Sequence, residues 1–157
     1  MQKLEEGTMM LRNLIAAAAA AILVCGTSFT VLAADYQVKM LNKGPDGRMM
    51  TFDPAFLKIA PGDTVTFLPA SKGHDSVSIK GMIPDGAQPW AGKISQEIAV
   101  QFTEPGIYGY ECVPHFGLGM VGLIQVGDSP ANLEAAQKTK LPPAAQKRMQ
   151  ELLAQVN

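Results

Sequence analysis

Four side chains in two short segments have the types and spacing of a metal site. The segment YGYECVPHFGLGMVG, residues 108–122, contains Cys112, His115 and Met120. The other histidine of the chain, His74, lies upstream in SKGHDS. The first segment predicts a strand that ends near Cys112, a tight turn, and a new strand from Met120. One loop would then bring three donors to one point, and His74 would supply the fourth.

This donor set favours copper. Cys and Met sulfur are soft ligands that suit Cu(I), and imidazole binds both oxidation states of copper. Two His and one Cys with a weak axial Met describe a blue-copper electron-transfer site, whereas structural zinc prefers a fourth Cys or His to a thioether. Each residue alone has an ordinary alternative, as core filler, small buried hydrophobe or surface residue. Their combination predicts one-electron exchange, because it uses every Cys and His of the expected mature chain.

The N-terminus predicts an exported protein. Arg12 precedes an apolar run from Leu14 to Val24. The run is shorter than the roughly 18 to 20 residues of a membrane-spanning helix and is typical of a signal peptide. The small residues Ala33 and Ala34 predict cleavage after Ala33, so that residues 1–33 form the signal peptide.

The leader leaves two alternatives open. Acidic residues at positions 5 and 6 do not suit the basic start of a signal peptide, so Met9 and Met10 are alternatives to Met1 as the translation start. Retention and acylation of Cys25 would give a lipoprotein. Val24 rather than a small residue precedes Cys25, which favours the cleaved leader.

Composition excludes several classes of protein. The chain carries 13 basic and 14 acidic side chains, and this balance gives no strong field toward nucleic acid or a membrane surface. Cleavage would remove Cys25 and leave Cys112 without an internal disulfide partner, so an oxidising compartment requires that this thiol be protected. Residues 34–157 have the size of one domain, and we expect a monomer.

Apolar residues alternate with polar ones through much of residues 36–126, which predicts half-buried strands. The alternating positions are Tyr36, Val38, Met40, Val65, Phe67, Val77, Ile79, Ile98, Val100 and Phe102. Between them lie the turn sequences GPDG, APGD, IPDG and EPGI, in which Pro presets φ and Gly supplies positive φ. Short strands at this spacing predict an all-β Greek-key sandwich or barrel over residues 34–127.

Residues 128–157 instead predict two short α-helices packed on one side of the sandwich. Asp128 or Ser129 would cap the first helix, with a proline in its first turn, and the pair Pro142–Pro143 would begin the second. The predicted buried stripe consists of Leu133, Met149, Leu152 and Leu153. This tail lacks the side chains that a reaction needs.

Several motifs occur together in this chain: the C-x2-H-x4-M loop, the upstream Gly-His pair, ADYQVKMLNKG, APGDTVTF, KGMIPDGA and the helical tail. The combination resembles the pseudoazurins, a family of periplasmic type 1 copper proteins with the cupredoxin fold, over essentially all of residues 34–157. The loop spacing is shared with plastocyanins, and the two-helix tail favours the pseudoazurins.

That resemblance implies a cupredoxin sandwich of about eight strands. It implies one type 1 copper with His74, Cys112, His115 and Met120 as ligands. It also implies an electron carrier rather than an enzyme, with a copper nitrite reductase or a periplasmic cytochrome as redox partner.

One residue departs from the family's pattern. Asp75 follows His74 where such proteins usually have Asn, and a carboxylate accepts hydrogen bonds without donating them. The backbone N–H of Asp75 could still donate to the Cys112 sulfur. A change behind the ligands tunes a metal more than it abolishes binding. Because a nearby negative charge favours Cu(II), we predict a lowered reduction potential.

Electron exchange needs a ligand near the surface, and His115 is the candidate. An apolar patch around it is predicted from Pro114, Phe116 and Leu118, and the resemblance extends the patch to Met49, Ile83 and Pro84. A basic ring is predicted from Lys43, Lys72, Lys80 and Lys93. Such rings steer transient encounters, and the alternative is that these lysines are only solvated surface. Trp90 is predicted to serve packing rather than electron relay.

Other functions are less well supported. An enzyme with Cys112 as nucleophile and His115 as base lacks a clear third group, and a reactive thiol would oxidise after export. A multinuclear copper centre needs more than the two histidines present. The remaining alternative is a copper carrier with the same ligands, which reversible redox cycling without loss of copper would distinguish from an electron carrier.

Overall fold

The computed structural model describes residues 32–128 and 130–157. These residues form β1 (Asp35–Lys43), β2 (Met49–Asp53), β3 (Phe56–Ile59), β4 (Thr64–Leu68), β5 (Val77–Ser78), β6 (Ile98–Gln101), β7 (Gly106–Glu111), a 3-10 helix (Val113–Leu118), β8 (Val121–Val126), α1 (Leu133–Lys138) and α2 (Pro143–Leu153). The predicted leader lies outside the described residues, apart from Leu32 and Ala33. Within the described ranges, no helix combines the length and the apolar character needed to cross a bilayer.

The strands form two four-stranded sheets in the orders β2-β1-β4-β6 and β3-β8-β7-β5. The β1–β4 and β3–β8 pairs are parallel and the other pairs are antiparallel. Alternate side chains of β1 and β4 point into the core, including Val38, Met40, Val65 and Phe67, none of which is exposed. The predicted sandwich is therefore confirmed, and it is open rather than a closed barrel.

Aromatic side chains fill the space between the sheets. The cluster contains Phe52, Phe67, Trp90, Phe102, Tyr108 and Tyr110. Trp90 stacks on Phe67 with ring centroids 6.0 Å apart, and its Nε1–H donates to Ser76 Oγ at 3.1 Å. The predicted packing role of Trp90 agrees with this position.

The two helices cover the outer face of the second sheet. In α2, which begins at the predicted proline, Met149, Leu152 and Leu153 are buried in a second core cluster with residues of β7 and β8. Leu133 is only partly buried against that cluster. Residues 32–157 form one compact unit.

The predicted N-cap of the first helix at residues 128–129 is wrong. The helix α1 begins at Leu133, after Asn132, and the Asn132 side chain does not cap it. The Oδ1 of Asn132 instead accepts from the Ile107 N–H at 2.7 Å, and its Nδ2 donates to the Ile107 carbonyl at 2.8 Å. The side chain ties the helix to β7, a long-range contact that local capping rules do not describe.

Candidate metal centre

Three of the predicted ligands converge at one end of the sandwich. The Nδ1 atoms of His74 and His115 are 3.1 Å apart, and Cys112 Sγ lies 3.6 Å from the first and 3.4 Å from the second. A point equidistant from three atoms with these separations lies about 2 Å from each, which is the length of a metal–imidazole bond. The three donors therefore surround a space the size of one metal ion.

The loop geometry follows from the ends of β7 and β8. Cys112 follows β7, and its N–H donates to the Met120 carbonyl at 3.0 Å, which closes the loop. The His115 N–H donates to the Cys112 carbonyl at 3.0 Å. Gly119 ends the 3-10 helix with a φ of 88°, a left-handed conformation that glycine adopts without strain. Met120 follows it, fully buried in the same core cluster as Cys112.

His74 is held in the tautomer that a metal requires. Its Nε2 lies 2.8 Å from Asn42 Oδ1, which can only accept, so Nε2 carries the proton and the Nδ1 lone pair faces Cys112. Burial lowers the pKa of His74, and the neighbouring His115 lowers it further, so the ring is neutral at physiological pH. Both effects leave Nδ1 available for coordination.

The role of Asn42 was not predicted from the sequence. In β1 the even-numbered positions Val38 and Met40 face the core. Asn42 has the same parity near the end of the strand, where the residue is exposed and its Oδ1 reaches His74 Nε2. A polar residue at a position whose parity points inward was the signal that could have identified it.

Asp75 connects the His74 segment to the ligand loop. Its Oδ1 accepts from the Val113 N–H at 2.7 Å, one residue beyond Cys112. Burial raises the pKa of Cys112 to about 11, against a smaller lowering by the backbone hydrogen bond from Asp75. The thiol is therefore protonated at neutral pH without a metal, which is opposite to the lowered pKa of a catalytic cysteine.

His115 is the predicted ligand that reaches the surface. His74, Cys112 and Met120 are fully buried, whereas His115 is only half-buried. Of the predicted apolar patch, Pro114 and Leu118 are exposed, whereas Phe116 is half-buried against the second core cluster. Val113 and Met49 are also exposed, to 55% and 54%. The predicted extension to Pro84 does not hold, because Pro84 is buried and packs against the Gly106 position at the far end of β7. Ile83 lies beside it in the same turn.

The four predicted lysines are all exposed, and none forms a salt bridge within the described ranges. Lys43 follows Asn42, Lys72 precedes the His74 turn, and Lys93 lies in the segment whose Ser95 N–H donates to the His74 carbonyl at 2.7 Å. Lys80 lies apart. It follows Ile79, whose N–H bonds to Gly109 O, further down β7 from the ligand loop.

The residues fit copper by their chemistry. Two imidazole nitrogens and one cysteine sulfur, with a buried thioether on the same loop, match the donor types of type 1 copper and do not match a closed zinc site.

Comparison with known proteins supports the assignment of a copper site. The sequence profile of the copper-binding proteins of the plastocyanin/azurin family matches residues 38–127. The pseudoazurin of Paracoccus pantotrophus is 47% identical over 94% of this chain and 100% of that protein. The crystal structure of pseudoazurin from Methylobacterium extorquens AM1 is 48% identical over 78% of this chain and 99% of its own, with a TM-score of 0.75. The crystal structure of pseudoazurin from Hyphomicrobium denitrificans is 38% identical over 78% of this chain and 98% of its own, also with a TM-score of 0.75. The chain therefore belongs to the plastocyanin/azurin family of copper-binding proteins and, within it, to the pseudoazurins.

Proposed function

We propose that this protein is a periplasmic one-electron carrier with a single copper held by His74, Cys112, His115 and Met120. The observation that carries the proposal is the triangle of two Nδ1 atoms and one Sγ, with sides of 3.1, 3.4 and 3.6 Å. Bound copper would supply exchange between Cu(I) and Cu(II). The protein keeps the donors fixed during that exchange, because Asn42 orients His74 and main-chain hydrogen bonds close the loop.

Electrons would pass through the exposed edge of His115. The other ligands are fully buried, so the shortest route between the metal and a docked partner runs through this imidazole. The surrounding apolar residues exclude water from a contact area without holding the partner for long, as suits a small transient interface.

The partner would be a redox protein with an acidic surface. Lys43, Lys72 and Lys93 lie near the metal end and have no intramolecular counter-charge in the described part of the chain. By resemblance to the family, a copper nitrite reductase or a periplasmic cytochrome is the proposed partner. We further propose that residues 1–33 are a cleaved signal peptide, that the sandwich of residues 34–127 and the helices of residues 128–157 form one domain, and that the protein acts as a monomer.

The steering role can be tested by salt dependence. Replacement of Lys43, Lys72 and Lys93 by Ala should slow electron transfer to an acidic partner at low ionic strength and flatten its dependence on salt. Stopped-flow kinetics between low and high ionic strength measures both. Lys80→Ala is the control, because it removes an exposed charge further from the ligand loop, and each of the three single variants is compared with it. An unchanged salt dependence in the triple variant would contradict the steering role.

A copper carrier is the alternative function. It would release the metal to a receiver, whereas an electron carrier retains the metal through many turnovers. Repeated chemical reduction and reoxidation in the presence of a Cu(I) chelator distinguishes the two. We expect the full visible absorption to return after each cycle, and progressive loss of copper to the chelator would favour the carrier.

A further inference from the structure

A buried carboxylate lies at the start of the sandwich, remote in sequence from the ligand loop. Asp63 is 3% exposed and occupies the turn between β3 and β4. Its Oδ2 accepts from the Ala60 N–H and its Oδ1 accepts from the Ala34 N–H, both at 2.8 Å. No lysine, arginine or histidine pairs with it in the described ranges. A buried anion without a cation is costly, and such a group is usually paired.

The sheet begins at the residue that contacts this carboxylate. The Ala34 carbonyl accepts from the Thr64 N–H at 2.9 Å, and Asp35 is the first residue of β1 in the parallel register with Thr64. The two described residues before Ala34 are exposed, Leu32 to 87%. The Ala33–Ala34 peptide bond therefore lies at the boundary between exposed chain and the folded sheet.

We propose that Asp63 is the receptor for the free α-amino group that signal-peptide cleavage creates at Ala34. In this hydrolysis an export endopeptidase adds water across the Ala33–Ala34 bond. The carbonyl carbon of Ala33 takes the hydroxyl and becomes a carboxylate, and the nitrogen of Ala34 takes the protons and becomes an ammonium. The nitrogen that donates to Asp63 Oδ1 would then carry the positive charge that this carboxylate lacks.

Only cleavage at this bond would make the pair. Cleavage one residue earlier would leave an uncharged amide at Ala34 and place the ammonium on Ala33, which is exposed. Cleavage would thus add a charge-assisted contact between the start of β1 and the turn that precedes β4. The inference rests on the proposed export, but it concerns the folded chain and does not depend on copper.

The pairing can be tested with two copper-loaded proteins released from a fusion, one beginning at Ala34 and one that retains Ala33. The chain beginning at Ala34 should melt roughly 3 to 6 °C higher near pH 6. The difference should vanish when both carry Asp63→Asn, which keeps one acceptor oxygen, and should persist with the control Asp35→Asn, an exposed neighbour. Equal melting temperatures of the two chains with Asp63 intact, or a difference that persists when both carry Asp63→Asn, would overturn the inference.

A chemical readout keeps the test valid if Asp63→Asn fails to fold. Carbamylation of the α-amino group by cyanate at neutral pH should be several-fold slower in the chain beginning at Ala34 than in the chain that retains Ala33. Equal rates would contradict the pairing. The intact mass of the product exported from the full-length gene tests the cleavage separately. A mass beginning at Ala34 supports it, and a different terminus would refute the proposed site while the recombinant chains still decide whether Asp63 binds an ammonium.

Discussion

His74 uses each of its ring nitrogens for a different contact. Nε2 is fixed by Asn42, and Nδ1 faces Cys112 and His115. The two segments that carry these ligands are joined by Asp75, whose carboxylate binds the Val113 N–H. The properties of the metal therefore depend on residues that do not coordinate it.

Substitution of Asn42 should weaken copper binding. Asn42→Leu removes the acceptor at Nε2 and should lower the copper affinity by roughly 10- to 100-fold, because the His74 ring loses its fixed tautomer and orientation. Competition with a copper chelator measures the affinity. Asn42→Asp retains an acceptor oxygen and serves as the control, with much of the affinity kept. Equal affinities in the Leu variant and the unmodified protein would contradict this role.

Asp75 should lower the reduction potential. Asp75→Asn keeps the shape and an acceptor for the Val113 N–H but removes a negative charge near the metal, so Cu(II) loses stabilisation and the potential should rise. We expect a rise of up to about 59 mV, which corresponds to a tenfold change in the equilibrium between Cu(II) and Cu(I) for this one-electron couple. Potentiometric titration followed by visible absorption gives the value. Asp85→Asn, an exposed change in the turn after Pro84, is the control, and a potential that stays constant or falls in Asp75→Asn would refute the prediction.

Helix α2 supports the ligand loop. A Cβ at Gly119 would lie 3.0 Å from the Ala144 carbonyl oxygen near the start of α2. The same residue has positive φ and immediately precedes Met120. The helix therefore limits how far the loop can move, and it does so next to the predicted axial ligand.

Gly119→Ala should both destabilise the protein and disturb the site. We expect the free energy of unfolding to fall by roughly 1 to 3 kcal/mol from the left-handed backbone and the close approach. Urea unfolding measures the loss, and the visible spectrum reports on the site. Gly117→Ala is the matched control on the same loop, because nothing lies within 4 Å of its Cβ position and its φ is not positive. Equal stability of the two variants would show that the helix does not constrain the loop.

Local patterns in the sequence predicted most of this architecture. Alternation located the inward residues of β1 and β4, and the prolines before α2 located its start. What the sequence could not supply were contacts between distant segments. The Asn132 side chain bonds to β7 rather than capping α1, and the position of Lys80 follows from the pairing of its segment with β7. The Asn132 contact and the position of Lys80 both depend on strand order and on packing between distant segments. Such long-range features are not local properties of the sequence.

The aromatic core between the two sheets contains tyrosine hydroxyl groups that affect the stability of the whole protein. Burial raises the pKa of Tyr108 to about 12, and it raises the pKa of Tyr110 as well. The Tyr110 hydroxyl has no hydrogen-bond partner in the described part of the structure. Its ring also occupies the space where a Cβ at Gly122 would lie, so this group is tightly enclosed.

The protein should lose stability at alkaline pH. An unfolded tyrosine ionises near pH 10, whereas Tyr108 in the folded state holds its proton to about pH 12. The contribution of Tyr108 to the free energy of unfolding is complete below pH 10. It is lost as pH rises toward 12, because the unfolded state then releases a proton that the folded state retains. Urea unfolding at pH 7 and pH 11 measures the change, and equal stability at both values would contradict it.

Tyr110→Phe should separate the cost of the buried hydroxyl from the packing of the ring. Removal of an unpartnered hydroxyl should leave the stability at pH 7 unchanged or raise it by up to about 1 kcal/mol. It should also reduce the alkaline loss. A decrease of more than about 1 kcal/mol at pH 7 would mean that the hydroxyl has a bound partner such as water.

Visible absorption during titration of residues 34–157 with Cu(II) decides whether the three converging donors bind copper. We expect an intense thiolate-to-copper band that saturates at about one equivalent and is absent in Cys112→Ala. A colourless protein whose Cys112 thiol remains free to react with a thiol reagent in the presence of copper would contradict it, because the three converging donors would then be a packing arrangement and not a metal centre.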